Sequence, residues 1–317
     1  MSEVISLALP FFGLIFLGYG AGRFVDLPES GLAWLNFFVV YCALPALFFR
    51  LLSETPIDEI ANWGFVFGTT FSTYVAFALA FCIGVVITGG QIREATIQGL
   101  IGAYSNIGYM GPGLTLAALG IASTVPTALI FCFDNALLFM LTAFLMAIGG
   151  TENLSKFDLV VNAMKKLFLH PFIIATIAGI VAAALELQIP FAINRLLEFL
   201  ASAAAPCALF AMGVTVALRP VKRLPMEMPA LLLIKLVIHP VIVFTVLVWL
   251  GGIDPLWVKT AVLMACLPPA ANVFVLATQY RTYIERASSS ILIGTAVSVL
   301  TVTTFLYLVV EDLLPGI

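Results

Sequence analysis

Apolar runs of about 20 residues, the length that crosses the hydrocarbon of a bilayer, recur along the whole chain. Hydrophobic residues make up 62% of the 317 residues and charged residues 10%, whereas globular chains average about 45–50% and about 25%. The sequence therefore predicts an all-α polytopic membrane protein with no soluble domain. We expect ten transmembrane segments, at 4–22, 31–51, 64–88, 96–119, 122–149, 168–186, 195–217, 228–250, 257–279 and 287–310.

The charged residues lie almost entirely between these runs, and the formal net charge is −3. They belong to loops, so the composition gives no indication of a nucleic-acid partner. The five cysteines lie within apolar runs and show no C-x-x-C spacing, which is typical of small buried hydrophobes rather than of disulfides or metal ligands. We therefore expect no metal site and no cofactor. The cysteines are Cys42, Cys82, Cys132, Cys207 and Cys266.

Lysine and arginine are distributed unequally between the loops. If the N-terminus is outside, ten of these residues lie in inner loops and three, Arg50, Arg195 and Lys259, lie in outer loops or at segment ends. By the positive-inside rule, both termini of a ten-segment chain are then expected outside the cytoplasm. The inner residues are Arg23, Arg93, Lys156, Lys165, Lys166, Arg219, Lys222, Arg223, Arg281 and Arg286.

The two halves of the chain carry prolines in step. Matching prolines lie 161, 162 and 161 positions apart at the same points of the segment pattern, namely Pro10 with Pro171, Pro28 with Pro190, and Pro45 with Pro206. This spacing predicts duplication of a five-helix unit, with one copy at 1–155 and the other at 156–317. Because five is odd, the second copy is inserted upside down, and such inverted repeats are the usual plan of secondary transporters.

Segments four and nine are both interrupted near their middles. SNIGYMGPG spans 105–113, with Gly108, Gly111, Pro112 and Gly113 as breakers, and CLPPAANVF spans 266–274. Proline and glycine free backbone polar groups, which in hydrocarbon must face protein or a wet cavity. Half-helix N-termini and asparagine amides at that depth suit a carboxylate or a similar anion. The candidate binding residues are Ser105, Asn106, Tyr109, Gly111, Pro112, Pro268, Pro269 and Asn272.

An alternative to a binding site is a pair of proline kinks that bind nothing, since such kinks are common in membrane helices. Two breaks at repeat-related positions favour the binding site. Tyr104 and Tyr109 are weaker candidates, because a tyrosine on such a helix more often packs with its hydroxyl bonded to a neighbour.

Three ionisable residues lie well inside apolar runs: Asp134 in segment five, and Lys235 and His239, which are four residues apart and so share one face of segment eight. A charge at that depth costs a few kcal/mol, so these side chains are expected to face the protein interior. Three roles remain open at this point. Asp134 can carry a coupling ion, H⁺ or Na⁺; Lys235 or His239 can attract an anionic substrate; or Asp134 and Lys235 can form a structural ion pair.

Four motifs indicate a family relationship: SNIGYMGPGL at 105–114, CLPPAANVFVLATQY at 266–280, ALPALFF at 43–49 and KLVIHP at 235–240. Together they resemble the auxin efflux carrier family, which includes plant carriers and bacterial permeases, and the resemblance covers the whole chain. It implies two inverted five-helix repeats whose segments four and nine cross as broken helices, as in bile acid transporters. Asn106 matches the family's crossover asparagine. Pro112 departs from the pattern, because many relatives have proline at the place of Gly113.

The resemblance also implies how the molecule works. A scaffold part, at 1–55 and 166–220, would form a homodimer contact, and a transport part, at 60–150 and 226–312, would move against it like an elevator. Only about seventeen residues join segments five and six, which fits a bacterial permease of the cytoplasmic membrane.

We therefore expect a secondary or facilitative transporter of a small organic anion, a malonate-like or auxin-like carboxylate. A non-transporting sensor or channel on the same fold is an alternative. A membrane-embedded hydrolase is disfavoured, because the sequence has no G-x-S-x-G or H-E-x-x-H and no second deep aspartate beside Asp134. A nucleotide-driven pump is disfavoured because there is no phosphate-binding loop motif.

Overall fold

The computed structural model describes residues 2–25, 28, 30–55, 62–150, 169, 171–218 and 224–315. Within these ranges every regular element is a helix, and six helical stretches are long and apolar enough to cross a bilayer. These six are Ser30–Ser53, Trp63–Ile87, Ile121–Ile148, Phe191–Leu218, Met228–Leu250 and Ile284–Val310. The predicted class, an all-α polytopic membrane protein, is confirmed.

The first half of the described chain contains seven α-helices. The second span has a π-helical turn at Val39–Ala43, and a short 3₁₀ turn at Ile121–Ser123 leads into the last helix of this half. The helices are α1 (Ser2–Phe24), α2 (Ser30–Phe38), α3 (Leu44–Ser53), α4 (Trp63–Ile87), α5 (Ile92–Ala103), α6 (Gly111–Leu119) and α7 (Thr124–Ile148).

The second half, over its described residues, contains another seven. A π-helical turn at Ile234–Ile238 joins two of them into one span. The helices are α8 (Pro171–Ala184), α9 (Phe191–Leu218), α10 (Met228–Leu233), α11 (His239–Leu250), α12 (Pro255–Ala265), α13 (Asn272–Gln279) and α14 (Ile284–Val310). Six residues used to predict the topology lie outside the described ranges: Lys156, Lys165, Lys166, Arg219, Lys222 and Arg223.

Each π turn comes directly before a proline near the start of the next helix, Pro45 in α3 and Pro240 in α11. A proline ring clashes with the carbonyl four residues earlier and offers no N–H to it. Widening the turn to the π spacing relieves that clash without ending the span. In the second half, Lys235 therefore lies inside the π turn and His239 is the first residue of α11.

Glycines let α1 and α9 approach closely along their lengths. A Cβ built on Gly18 would lie 2.1 Å from the carbonyl oxygen of Phe210, and one built on Gly213 would lie 2.1 Å from that of Ile15. Helix α3 packs against α8 and α9, while α4 packs against α5 and α11. Small residues at such contacts are usual between membrane helices, because association there depends on close packing.

Candidate functional site

The first interruption extends from Tyr104 to Met110, between α5 and α6. The sequence placed Gly111 and Pro112 among the breakers, but both lie in the first turn of α6. A proline is tolerated there because the first-turn N–H groups have no partner within the helix. Glycine at position 111 allows close packing, since a Cβ there would lie 2.6 Å from the sulfur of Met264 in α12, whose side chain would have to move.

The second interruption, from Cys266 to Ala271, separates α12 from α13. It contains Pro268 and Pro269, as the sequence pattern indicates, and both prolines are buried. Asn272 is the first residue of α13.

The two interruptions meet and pair with each other through the backbone. The amide of Asn106 donates to the carbonyl of Pro268 at 2.8 Å, and the amide of Ala270 donates to the carbonyl of Tyr104 at 2.9 Å. These two bonds form an isolated antiparallel bridge centred on Ser105 and Pro269. Backbone groups released by the broken helices therefore satisfy one another, as burial away from water requires.

Asn106 is 1% exposed, and its amide is only half satisfied. Its Nδ2 donates to the thioether sulfur of Met212 in α9 at 3.0 Å, whereas its buried Oδ1 has no hydrogen-bond partner. A buried acceptor without a partner costs about 1–3 kcal/mol, so its retention calls for a physical explanation such as a bound water, an ion or a functional role.

Asn272 is held by Tyr104, which the sequence predicts as a weaker candidate for the site. Its Nδ2 donates to the hydroxyl of Tyr104 at 3.0 Å, so the start of α13 is tied by a side-chain bond to the first interruption. Tyr104 is buried and also contacts Phe139 edge to face, with ring centroids 5.9 Å apart. Tyr109, the other predicted tyrosine, is half-buried and packs against the apolar core.

A chain of hydrogen bonds connects the three buried ionisable residues. Thr73 in α4 lies 2.8 Å from Oδ2 of Asp134 and 3.2 Å from Nε2 of His239. On the other side of the ring, Nδ1 of His239 lies 3.2 Å from Nζ of Lys235. Thr70, also in α4, donates a longer and weaker hydrogen bond to Oδ1 of Asp134, at 3.4 Å.

The chain ends at the second broken helix. Nζ of Lys235 donates to the carbonyl of Ala265, the last residue of α12, at 2.5 Å, and Oγ of Ser105 donates to the same carbonyl at 3.3 Å. Lysine at a helix C-terminus satisfies a free carbonyl and opposes the negative end of the helix dipole. The predicted residues Ser105, Asp134, Lys235 and His239 therefore belong to one polar network that adjoins both interruptions.

Asp134 and Lys235 are joined indirectly. Among the described residues no ion pair links them, since Thr73 and His239 stand between. The residues that the sequence missed, Thr73 and Met212, are ordinary in a spanning helix. The only sequence signal for Thr73 is its i, i+4 spacing from Thr69, which puts two hydroxyls on one face of α4.

A small cavity lies beside this network, with Asp134, His239, Thr73 and Ser105 among its lining residues. Its free space accommodates roughly one water molecule. In this conformation the cavity next to Asp134 can hold a water molecule or a small ion but is too small for an organic anion.

Comparison with known proteins adds to this geometry. Residues 3–306 match the family described as "Membrane transport protein". A protein of Rhizobium meliloti (strain 1021), named "Putative malonate transporter", is 51% identical over 316 residues, which cover 100% of this chain and 99% of that protein. A second relative, "Uncharacterized transporter YfdV" of Escherichia coli (strain K12), is 23% identical over 320 residues, covering 94% and 95% of the two chains.

The helical fold, the paired interruptions and these matches define a multi-pass membrane protein of a transporter class. The chain belongs to the membrane transport protein family, and the resemblance of its motifs to the auxin efflux carriers is confirmed.

Proposed function

We propose that this protein is a secondary or facilitative transporter of a small organic anion, a malonate-like carboxylate, in a bacterial cytoplasmic membrane. The single observation that carries the proposal is the meeting of two interrupted helices, which brings the N-termini of two half-helices and the amides of Asn106 and Asn272 to one place. The name of the Rhizobium meliloti relative, at 51% identity over the full length, supports a dicarboxylate over an auxin-like acid.

The chemistry at the interruptions suits an anion. Helices α6 and α13 begin there, and the N-terminus of a helix carries partial positive charge. Asn106 and Asn272 add amide donors, and the ammonium of Lys235 lies one hydrogen bond from the end of α12. We infer that substrate binding takes the Nδ2 donor of Asn106 from Met212, because a carboxylate oxygen is a far stronger acceptor than a thioether.

Ten spans in two inverted repeats are part of the proposal. The first half-helices end at Ala103 and Ala265, 162 positions apart (265 − 103), and the second ones begin at Gly111 and Asn272, 161 positions apart (272 − 111). These separations equal those of the paired prolines in the sequence. An antiparallel backbone bridge is itself two-fold symmetric, as expected where two inverted copies meet. The positive-inside rule then puts both termini outside.

Transport by an elevator motion is the proposed mechanism. Helices α1, α3, α8 and α9 pack on one another and correspond to the scaffold part, and α4, α5 and α11 pack together in the transport part. The bond from Asn106 to Met212 crosses between the two groups, so it must break when one moves past the other. A homodimer through the scaffold helices belongs to the same proposal.

The test is uptake of radiolabelled malonate by proteoliposomes, together with counterflow. We expect Asn106→Ala and Asn272→Ala each to abolish uptake while the purified protein stays folded. Asn36→Ala, an asparagine on α2 outside the interruptions, is the matched control and should transport as the wild type does. Wild-type uptake by both site variants would refute the site, and an absence of counterflow in the wild type would favour a sensor or a channel.

A further inference from the structure

The hydrogen-bond chain from Lys235 to Asp134 has a defined direction. An ammonium only donates and a carboxylate only accepts, so the two ends fix the groups between them. Lys235 donates to Nδ1 of His239, Nε2–H of His239 donates to Oγ1 of Thr73, and the Thr73 hydroxyl donates to Oδ2 of Asp134. This assigns the Nε2–H tautomer to His239. Every donor in the chain points toward the carboxylate.

We propose that this chain is the proton-binding site that couples carboxylate transport to H⁺, with Asp134 as the proton acceptor and Thr73 as the bridging residue. The inference rests on the proposed function. A proton entering from solvent bonds to Oδ2 of Asp134, giving a neutral carboxyl group, and the Thr73 hydroxyl then turns from donating to that oxygen to accepting from it. The hydroxyl hydrogen of Thr73 turns away from Asp134, no covalent bond forms or breaks other than the new O–H bond of the carboxyl group, and the network gains one positive charge.

The gain of charge links the proton to the substrate. With Asp134 ionised, its charge balances that of Lys235 within the same network. Once Asp134 is protonated, the Lys235 ammonium, held against the end of α12, has no compensating anion until a carboxylate reaches the interruptions. Proton and anion therefore each raise the affinity for the other, and this coupling is reciprocal by thermodynamic necessity. The shared carbonyl of Ala265, which Ser105 also contacts, connects the two sites.

The same geometry favours H⁺ over Na⁺ as the coupling ion. The cavity beside Asp134 is bordered by the ring of His239, and Lys235 holds a fixed positive charge in the same network. A proton needs no coordination shell and enters with a single water.

Other ionisable groups surround the site. Tyr74 on α4, Tyr104 at the first interruption and Lys235 interact electrostatically with Asp134. Lys235 interacts in turn with His239 and with Cys266 at the second interruption. On the far side of α7, the thiol of Cys132 donates to Thr176 of α8. Of these groups only Asp134 is a carboxylate, so it is the acceptor that can be neutralised by a proton.

The experiment uses proteoliposomes with the membrane potential clamped at zero and labelled malonate as the probe. With the outside one pH unit more acidic, one coupled proton supports about tenfold accumulation of substrate. Wild type is expected to accumulate malonate and to acidify the lumen. Thr73→Val breaks the chain and should lose most of this roughly tenfold gradient-driven accumulation while it retains malonate counterflow. Thr73→Ser restores the hydroxyl and should restore accumulation.

Thr142→Val is the matched control, because this buried hydroxyl on the same helix as Asp134 donates only to the carbonyl of Leu138. Asp134→Asn should abolish the effect of the gradient. If the pH gradient still drives accumulation in Asp134→Asn, the coupled proton is carried by malonate itself and the inference is overturned. Full accumulation by Thr73→Val would also overturn it. If wild type shows neither uptake nor counterflow, the proposed function fails instead. Should Thr73→Val not fold, the comparison of Asp134→Asn with wild type decides.

Discussion

Two charged clusters of this protein are built in opposite ways. In the interior chain, Lys235 is 0% exposed and Asp134 is 7% exposed, and an imidazole and a hydroxyl separate their charges. A second cluster joins the start of α5, the residue before α10 and the start of α14, and here the charges meet directly. Nη1 of Arg286 lies 3.5 Å from Glu94 and 4.0 Å from Glu227, and Arg286 is 38% exposed.

The difference indicates what each cluster is for. A direct pair such as Arg286 with Glu94 holds helix ends in register, and its partial exposure to water limits both its cost and its strength. A buried cation and anion held apart by two groups that can both donate and accept form a network whose charge can change without a change of packing. We infer that the second cluster, Arg286 with Glu94 and Glu227 (the end cluster), is structural. The hydrogen-bonded chain from Lys235 to Asp134 (the interior chain) carries function.

Replacement of Lys235 should have the largest effect. Lys235→Met leaves the Asp134 carboxylate buried without a compensating charge, which typically destabilises by about 3–5 kcal/mol, and it removes the cation beside the interruptions. We expect loss of malonate uptake and a lower melting temperature. The double variant Lys235→Met/Asp134→Asn removes both charges, so it should recover stability without recovering uptake.

Lys259→Met is the matched control for this prediction. Lys259 forms an ion pair with Asp312, which is 71% exposed, so the change should cost no more than about 1 kcal/mol and leave uptake intact. If Lys235→Met is as mild as Lys259→Met, the buried charge of Lys235 matters no more than that of a partly exposed ion pair, and the special role of the interior chain is refuted.

Glu227→Gln tests the end cluster and should have an intermediate effect. Glu227 is 5% exposed and accepts a hydrogen bond from the Tyr283 hydroxyl in addition to its ion pair with Arg286. Loss of a charge-assisted bond to a buried group costs about 1–3 kcal/mol, which a lower melting temperature would report. Uptake per folded molecule and its dependence on the pH gradient should stay within about twofold of wild type, because the cluster lies outside the polar network. A selective loss of pH dependence would assign function to this cluster as well.

The sequence predicted single anomalous residues better than it predicted their partners. Proline, asparagine and aspartate stand out in an apolar run because each breaks a rule of burial in lipid, so Pro268, Asn106 and Asp134 could be identified one helix at a time. Thr73 and Met212 break no such rule. Their importance lies in contacts across 61 and 106 positions of sequence, and periodicity within one helix contains no information about these contacts.

The interruption was located correctly in segment four, and Gly108 lies within it, whereas the other three predicted breakers, Gly111, Pro112 and Gly113, belong to α6. Glycine and proline both end helices and begin them, and the sequence pattern does not distinguish these two uses at Gly111 and Pro112. The structure uses them to start α6, where proline has no donor to lose and glycine admits the sulfur of Met264. The interruption is formed instead by Tyr104–Met110, where Asn106 turns its backbone toward Pro268.

The smallest expected effect is a pH dependence of stability that belongs to the end cluster. Tyr283 lies just before α14, and burial, followed by its hydrogen bond to Glu227, raises the pKa of its hydroxyl above the ordinary value of 10.0. Below that value the hydroxyl is protonated in both the folded and the unfolded chain, so its full contribution to stability is present. Above it the unfolded chain releases the proton and the folded chain retains it, so stability falls as the pH rises. The melting temperature of the wild type should therefore drop more steeply between pH 9 and pH 11 than that of Tyr283→Phe, by a few degrees. Equal slopes would mean that Tyr283 ionises as freely when folded as when unfolded, which is incompatible with a buried contact to the Glu227 carboxylate.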